Sequence, residues 1–162
     1  MSDNRVYIYD CTLRDGAQTQ GVDFSATDKN LIANQLDLLG VDYIEGGWPG
    51  ANPKDDAFFA SPPPLTRSRL TAFGMTRRAG RSSGNDPGLN ALLDCGTEAI
   101  CMVGKTWDFH VNMALNIELD ENISMIADSI THATTRVNEV IFDAEHFFDG
   151  YKANPEFAMK CL

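Results

Sequence analysis

Short, β-prone apolar runs return along this chain at a spacing close to 30 residues, and that recurrence constrains the fold more than anything else in it. The runs occupy residues 6–9, 41–44, 70–73, 99–103 and 140–142. Helical patterns fill the intervals. Ser25-Ala26-Thr27-Asp28 has the form of a capping box, Ile32, Leu36 and Leu39 follow on one face, and Gly40 supplies a stop. Asn52-Pro53 can open a short helix through Phe58 and Phe59. Pro87-Gly88 precedes Leu89, Leu92 and Leu93, with Gly96 as the stop. Ile123, Ile126 and Ile130 mark a third stripe, and Asn154-Pro155 reads as an N-cap with a first-turn proline ahead of a helix over 156–162. Strand and helix alternating at this length mean parallel βαβ units, because parallel neighbours need a long crossover. Two architectures fit five such units. One is a doubly wound five-stranded sheet. The other is a (β/α)8 TIM barrel cut after about five strands, since the whole barrel needs roughly 250 residues and this chain has 162.

Composition removes several classes of function. Thirteen Lys and Arg against 23 Asp and Glu give a net charge of −10, which disfavours nucleic acid and anionic membrane surfaces as partners. No apolar run approaches the roughly 20 residues of a membrane span. The opening Met1-Ser2-Asp3-Asn4-Arg5 lacks the basic-then-apolar pattern of a secretory signal. Cys11, Cys95, Cys101 and Cys161 are scattered without a C-x-x-C pair, the pattern of reduced, mostly buried thiols in a cytoplasmic protein. The 1–162 segment is long enough for one domain with a sizeable core.

In either architecture ligands gather at the carboxyl ends of the strands. The segments there are polar and rich in Gly and Trp: 10–18 after the first strand, 45–50 after the second, 74–78 after the third, 104–108 after the fourth and 143–150 after the fifth. Arg14-Asp15 is the sharpest local pair. The carboxylate is a candidate hard oxygen ligand for a divalent ion. The guanidinium is a candidate stabiliser of an oxyanion beside that ion. A plain loop salt bridge is the competing reading.

The stretch Tyr9-Asp10-Cys11-Thr12-Leu13-Arg14-Asp15-Gly16-Ala17-Gln18 closely resembles the D-x-T-L-R-D-G-x-Q signature that opens the barrel of the isopropylmalate, homocitrate and citramalate synthases. These belong to the metal-dependent pyruvate carboxyltransferase-like superfamily, which also holds hydroxymethylglutaryl-CoA lyase. Glu45-Gly46-Gly47-Trp48-Pro49-Gly50, Phe73-Gly74-Met75-Thr76-Arg77-Arg78, Gly104-Lys105-Thr106-Trp107-Asp108 and Phe142-Asp143-Ala144-Glu145-His146-Phe147-Phe148-Asp149-Gly150 look like the citramalate synthase branch. The resemblance runs through nearly the whole chain and selects the barrel.

The resemblance implies condensation of acetyl-CoA with a 2-oxo acid, pyruvate above all, to give citramalate for isoleucine and leucine biosynthesis. It implies a divalent metal (Mg, Mn or Zn) with Asp15 as a ligand. Arg14 would stand at the carbonyl oxygen of the oxo acid, and Glu145 would orient the acetyl methyl or a water. Arg77, Arg78 and Lys105 sit on the rim where CoA phosphates would lie. The full-length family member would be a cytoplasmic homodimer, with further strands and any regulatory domain beyond residue 162. Cys11 departs from the usual threonine, a poorer donor beside the site. The family's His-x-His pair has no match: His110 reads as structural, His132 as solvated, and His146 as a neighbour of Glu145. Two alternatives stand beside the synthase: a non-catalytic fragment of such an enzyme, or a related isopropylmalate, homocitrate or hydroxymethylglutaryl-CoA lyase type.

Overall fold

A computed structural model describes residues 5–162; Met1 to Asn4, with most of the segment read for a secretory signal, lie outside the described residues. Five strands form one parallel sheet: β1 (Tyr9–Asp10), β2 (Tyr43–Glu45), β3 (Arg69–Met75), β4 (Ala99–Lys105) and β5 (Glu139–Glu145). Their spatial order is β1-β2-β3-β4-β5. This decides between the two architectures. A doubly wound sheet reverses direction at a switch point, so its strand order is not sequential, whereas a barrel lays each strand beside the one before it. The sheet is therefore a five-strand section of a TIM-type barrel. No helix among the described residues is long and apolar enough to cross a membrane.

The helices begin and end where local chemistry dictates. In α1 (Ala26–Leu39), Ser25 and Asp28 close a reciprocal capping box and Gly40 ends the helix at φ +89°. α2 (Pro53–Ala60) is capped by Asn52, and α3 (Pro87–Leu93) by Asp86. A short turn, α4 (Asp108–His110), runs into a π-turn over Val111–Leu115. α5 (Leu119–Thr134) carries the isoleucine stripe. α6 (Phe147–Ala153) and α7 (Pro155–Lys160) close the chain, with the Asn154 side chain accepting from the Phe157 N–H at 3.1 Å.

Strand alternation splits the sheet into two faces. Ile44, Ala72, Ile100 and Met102 join Ala33, Phe58, Leu89 and Leu92 in a core between strands and helices. Each fully buried Leu, Ile, Phe or Met side chain here is worth about 1.5–3 kcal/mol over exposure. The alternate residues Phe73, Cys101, Val103, Tyr9, Met75 and Ile141 gather on the concave face, where the site lies.

Three local expectations are corrected. The first strand does not fill 6–9. Val6, Tyr7 and Ile8 are more than half exposed, and the Ile8 N–H donates to the Asp42 carboxylate at 2.8 Å, a side chain taking the place of a ladder partner. The last helix ends at Lys160. The segment after β5, read as a polar loop, is helical from Phe147. Its Gly150 belongs there because a Cβ would collide with the Thr106 carbonyl.

Candidate functional site

The turn after β1 is wound around one acceptor. The Cys11 carbonyl receives the N–H groups of Arg14, Asp15 and Gly16 at 3.2, 2.9 and 3.1 Å. This turn sets Arg14 over the concave face. Its Nε donates to Glu45 Oε2 at 2.6 Å, its Nη1 donates to Asp15 Oδ1 at 3.0 Å, and its guanidinium carbon lies 3.9 Å from the centre of the Phe73 ring. Glu45, at the end of β2, is 1% exposed and also accepts from the Tyr9 hydroxyl at 2.8 Å. That hydroxyl is 3.1 Å from Thr71 Oγ1. Among the described residues Arg14 Nη2 has no acceptor, so one edge of the guanidinium remains open to a ligand.

The charges around this point are held in place. Burial opposes the charge on Arg14, yet its bond to Glu45 and the charges of Glu45 and Asp15 leave its pKa above the ordinary value. Burial, followed by the fields of Cys101 and Glu45, pushes the Tyr9 hydroxyl far up, so it stays a neutral donor. Burial pushes the Cys101 thiol up to about 12 and raises Cys11 as well. All four cysteines are free; Cys101 and Cys161 are buried, and Cys11 and Cys95 partly so.

The opposite wall comes from β4 and β5. Lys105 and Glu145 face each other in the strand register and form an ion pair. Two positions earlier on the same face, Asp143 is paired in register with Val103. Burial pushes Asp143 above the usual carboxylate range; Arg14 opposes the rise, and Glu145 and Asp15 add to it. His146, at φ +55°, packs its ring 4.5 Å from that of His110 and 3.3 Å from Asp149 Oδ2. His110 also packs on Trp107 at 4.8 Å. His132 departs from the solvated reading: its Nε2 is shielded and has no partner among the described residues.

A cavity of about 380 Å³ opens on the same rim, lined by Trp48, Met75, Arg78, Val103, Leu115 and Met125 among others. The three cations expected there differ. Arg77 is 5% exposed, donating to Asp128 Oδ2 at 2.7 and 3.1 Å and to Glu121 Oε1 at 2.9 Å. Its charge is matched inside the protein by α5. Lys105 is held by Glu145. Arg78 is exposed at the cavity mouth; its backbone is tied, the N–H to Asp86 at 2.9 Å and the carbonyl to the Arg81 N–H at 3.2 Å, while its guanidinium has no partner among the described residues.

A divalent ion needs about four donors as Zn or about six as Mg or Mn, and the donor set here is short of either. The Asp15 side chain is 59% exposed and one of its oxygens accepts from Arg14. Among the described residues no three His, Cys, Asp or Glu side chains converge as a metal site. Asp15 can supply one hard oxygen; these residues do not by themselves fit a metal.

Glu45 was visible from sequence only as a residue after the second strand, and Tyr9, Thr71 and Asp143 carried no role. The available signal was parity: Thr71, Phe73 and Met75, like Ile141, Asp143 and Glu145, alternate on one face of their strands.

Residues 5–161 match the model of the HMGL-like family. The chain is 51% identical over 160 residues to the (R)-citramalate synthase of Aquifex aeolicus, covering 98% of the chain and 30% of that protein. It is 50% identical over 159 residues to the (R)-citramalate synthase of Geobacter sulfurreducens, covering 97% and 30%. Among solved structures, the hydroxymethylglutaryl-CoA lyase of Pseudomonas aeruginosa superposes with a TM-score of 0.66 at 17% identity, over 85% of this chain and 45% of that one. At that identity the likeness speaks for the fold alone. The chain spans about 30% of the length of the curated relatives it matches.

Proposed function

The chain belongs to the HMGL-like family, and on that premise we propose that it carries the oxo-acid side of an acyltransferase centre that condenses acetyl-CoA with a 2-oxo acid. Pyruvate is the substrate this reading favours, giving citramalate for branched-chain amino acid biosynthesis, because two relatives near 50% identity bear that name. The observation that carries the reading is the open edge of Arg14. A guanidinium fixed by Glu45 and Asp15, lying over an aromatic ring and free at Nη2, is preorganised for an oxygen that gains negative charge.

In this reading a general base takes a proton from the acetyl methyl, and the methyl carbon bonds to C2 of the oxo acid. As the C=O π bond breaks, the oxygen takes that electron pair beside Arg14 and then a proton, leaving a tertiary hydroxyl. Hydrolysis of the thioester then releases the CoA thiol. Glu145 orients the methyl or the hydrolytic water. The apolar crevice with Arg78 at its mouth suits the pantetheine arm and a CoA phosphate, with Lys105 at its inner end and Arg77 bracing the loop through α5. Asp15 enters as one oxygen donor for a divalent ion whose other donors come from elsewhere, and no step is derived through that ion.

The test is thiol release from acetyl-CoA with pyruvate, 2-oxoisovalerate and 2-oxoglutarate in parallel. Preference for pyruvate is expected; preference for 2-oxoisovalerate overturns citramalate as the product. A second reading is favoured by two observations made among the described residues: β1 and β5 each pair on one side only, and Asp15 has no companion ligands. On that reading the chain alone binds the oxo acid without turning it over, and pyruvate binding without thiol release is its signature.

A further inference from the structure

Behind the second rim loop lies an ion pair for which the reaction gives no direct role. Lys29 of α1 is 3% exposed, pairs with Asp55 of α2, and donates to the Gly46 carbonyl at 2.9 Å. Asp55 Oδ2 accepts from the Trp48 N–H at 2.8 Å and from Asn52 Nδ2 at 2.9 Å. Gly47 packs so closely on this carboxyl, at φ +152°, that a Cβ would lie 2.6 Å from Asp55 Cγ. The loop so fixed reaches the site by two routes. The Gly47 carbonyl accepts from the Phe73 N–H at 2.9 Å. The Trp48 indole stands edge-on to the Phe73 ring, with centroids 5.5 Å apart at 82°. Phe73 in turn carries the Arg14 guanidinium.

We propose that Asp55, held by Lys29, is a positioning residue: it sets Trp48 and Phe73, and through that ring the pitch of Arg14 toward the 2-oxo acid. A buried pair kept for stability alone is commonly replaceable by apolar residues. This carboxylate also fixes a rim backbone N–H, which an apolar substitute cannot do. The inference rests on Arg14 meeting the oxo acid, so its test has one readout that does not need turnover.

That readout is the Nε–Hε NMR signal of Arg14, which senses both the Glu45 bond and the ring current of Phe73. Asp55→Asn is expected to shift this signal, and to raise the KM for pyruvate about tenfold while the KM for acetyl-CoA stays within roughly twofold, because small misplacements of a positioned group are costly. Trp48→Phe keeps the ion pair but shortens the ring, and is expected to shift the same signal; it carries the test if Asp55→Asn does not fold. An unmoved Arg14 signal in a folded variant overturns the proposal. A parent protein that neither binds nor converts pyruvate overturns the proposed function, while the signal still decides whether Asp55 sets Arg14.

Discussion

Replacing Glu45 with glutamine tests the electrostatic anchor of the site without changing its shape. The wild-type carboxylate is 1% exposed and accepts from Arg14 Nε at 2.6 Å and from the Tyr9 hydroxyl at 2.8 Å. Glutamine can accept one of these bonds, but it removes the countercharge and turns an NH2 group toward a donor. A hydrogen bond to a charged partner is worth about 1.5–3 kcal/mol. Arg14 keeps Asp15 and some water, so the lower part of that range applies to the charge, with the misdirected amide adding to it. The expected loss is about 2 kcal/mol, which at this chain length lowers the thermal midpoint by roughly 4–8 °C. Glu45→Ala, which leaves two donors without an acceptor, should cost more, about 3–5 kcal/mol. Urea denaturation of parent and variants measures both, and an unchanged m-value keeps the comparison about stability. A Glu45→Gln midpoint within roughly 1 °C of the parent would show that Arg14 does not depend on this carboxylate.

Other substitutions probe other parts of the account. The Asp37 carboxylate accepts the N–H groups of Thr66, Arg67 and Ser68 and the Thr66 hydroxyl, and these bonds, led by that of Ser68, hold its pKa below the usual range. Its stabilisation is complete above the unfolded value, near pH 4, and is lost as pH falls through the folded one. Asp37→Asn should therefore lower the midpoint at pH 7 and flatten the acid limb of the stability–pH curve; an unchanged limb counts against the assignment. Asp143 runs the other way. Its raised pKa means that ionisation costs stability as pH rises, so Asp143→Asn should be neutral to stabilising by under about 1 kcal/mol at pH 8 and without that gain at pH 3. A loss at pH 8 contradicts this. Gly150→Ala should destabilise by about 1–3 kcal/mol through collision with the Thr106 carbonyl, and a variant as stable as the parent shows that α6 shifts freely.

Much of the fold was legible because its signals are local. The Ser25–Asp28 box, Asn52-Pro53, Pro87 and Asn154-Pro155 announce helix starts locally, and all four are used; the Asp86 cap of α3 emerged only in the structure. The centres of β2 to β5 lay within β-prone runs, whereas β1 shares only Tyr9 with its run. What failed involved partners remote in sequence or a glycine with a packing role. Val6 to Ile8 look like a strand, but the Ile8 N–H goes to the Asp42 carboxylate while its carbonyl accepts from the Asp42 and Tyr43 N–H groups, so paired strand begins only at Tyr9. Gly150 makes α6 look like a loop, although the glycine is there for a neighbour 44 positions away. Arg14 and Asp15 were legible as a pair because they are adjacent. The countercharge that fixes Arg14, Glu45, is 31 positions distant, and only the folded sheet brings it near. Arg77 shows the same limit: its rim position is evident from sequence, but the α5 carboxylates that match its charge are 44 and 51 positions away.

Calorimetric titration of pyruvate into the parent and into Arg14→Gln reads the central claim most directly. The account predicts saturable binding to the parent and affinity at least about tenfold weaker in the variant, the loss expected when a charge-assisted contact of roughly 1.4 kcal/mol or more is removed. Equal affinities in two folded proteins would contradict it.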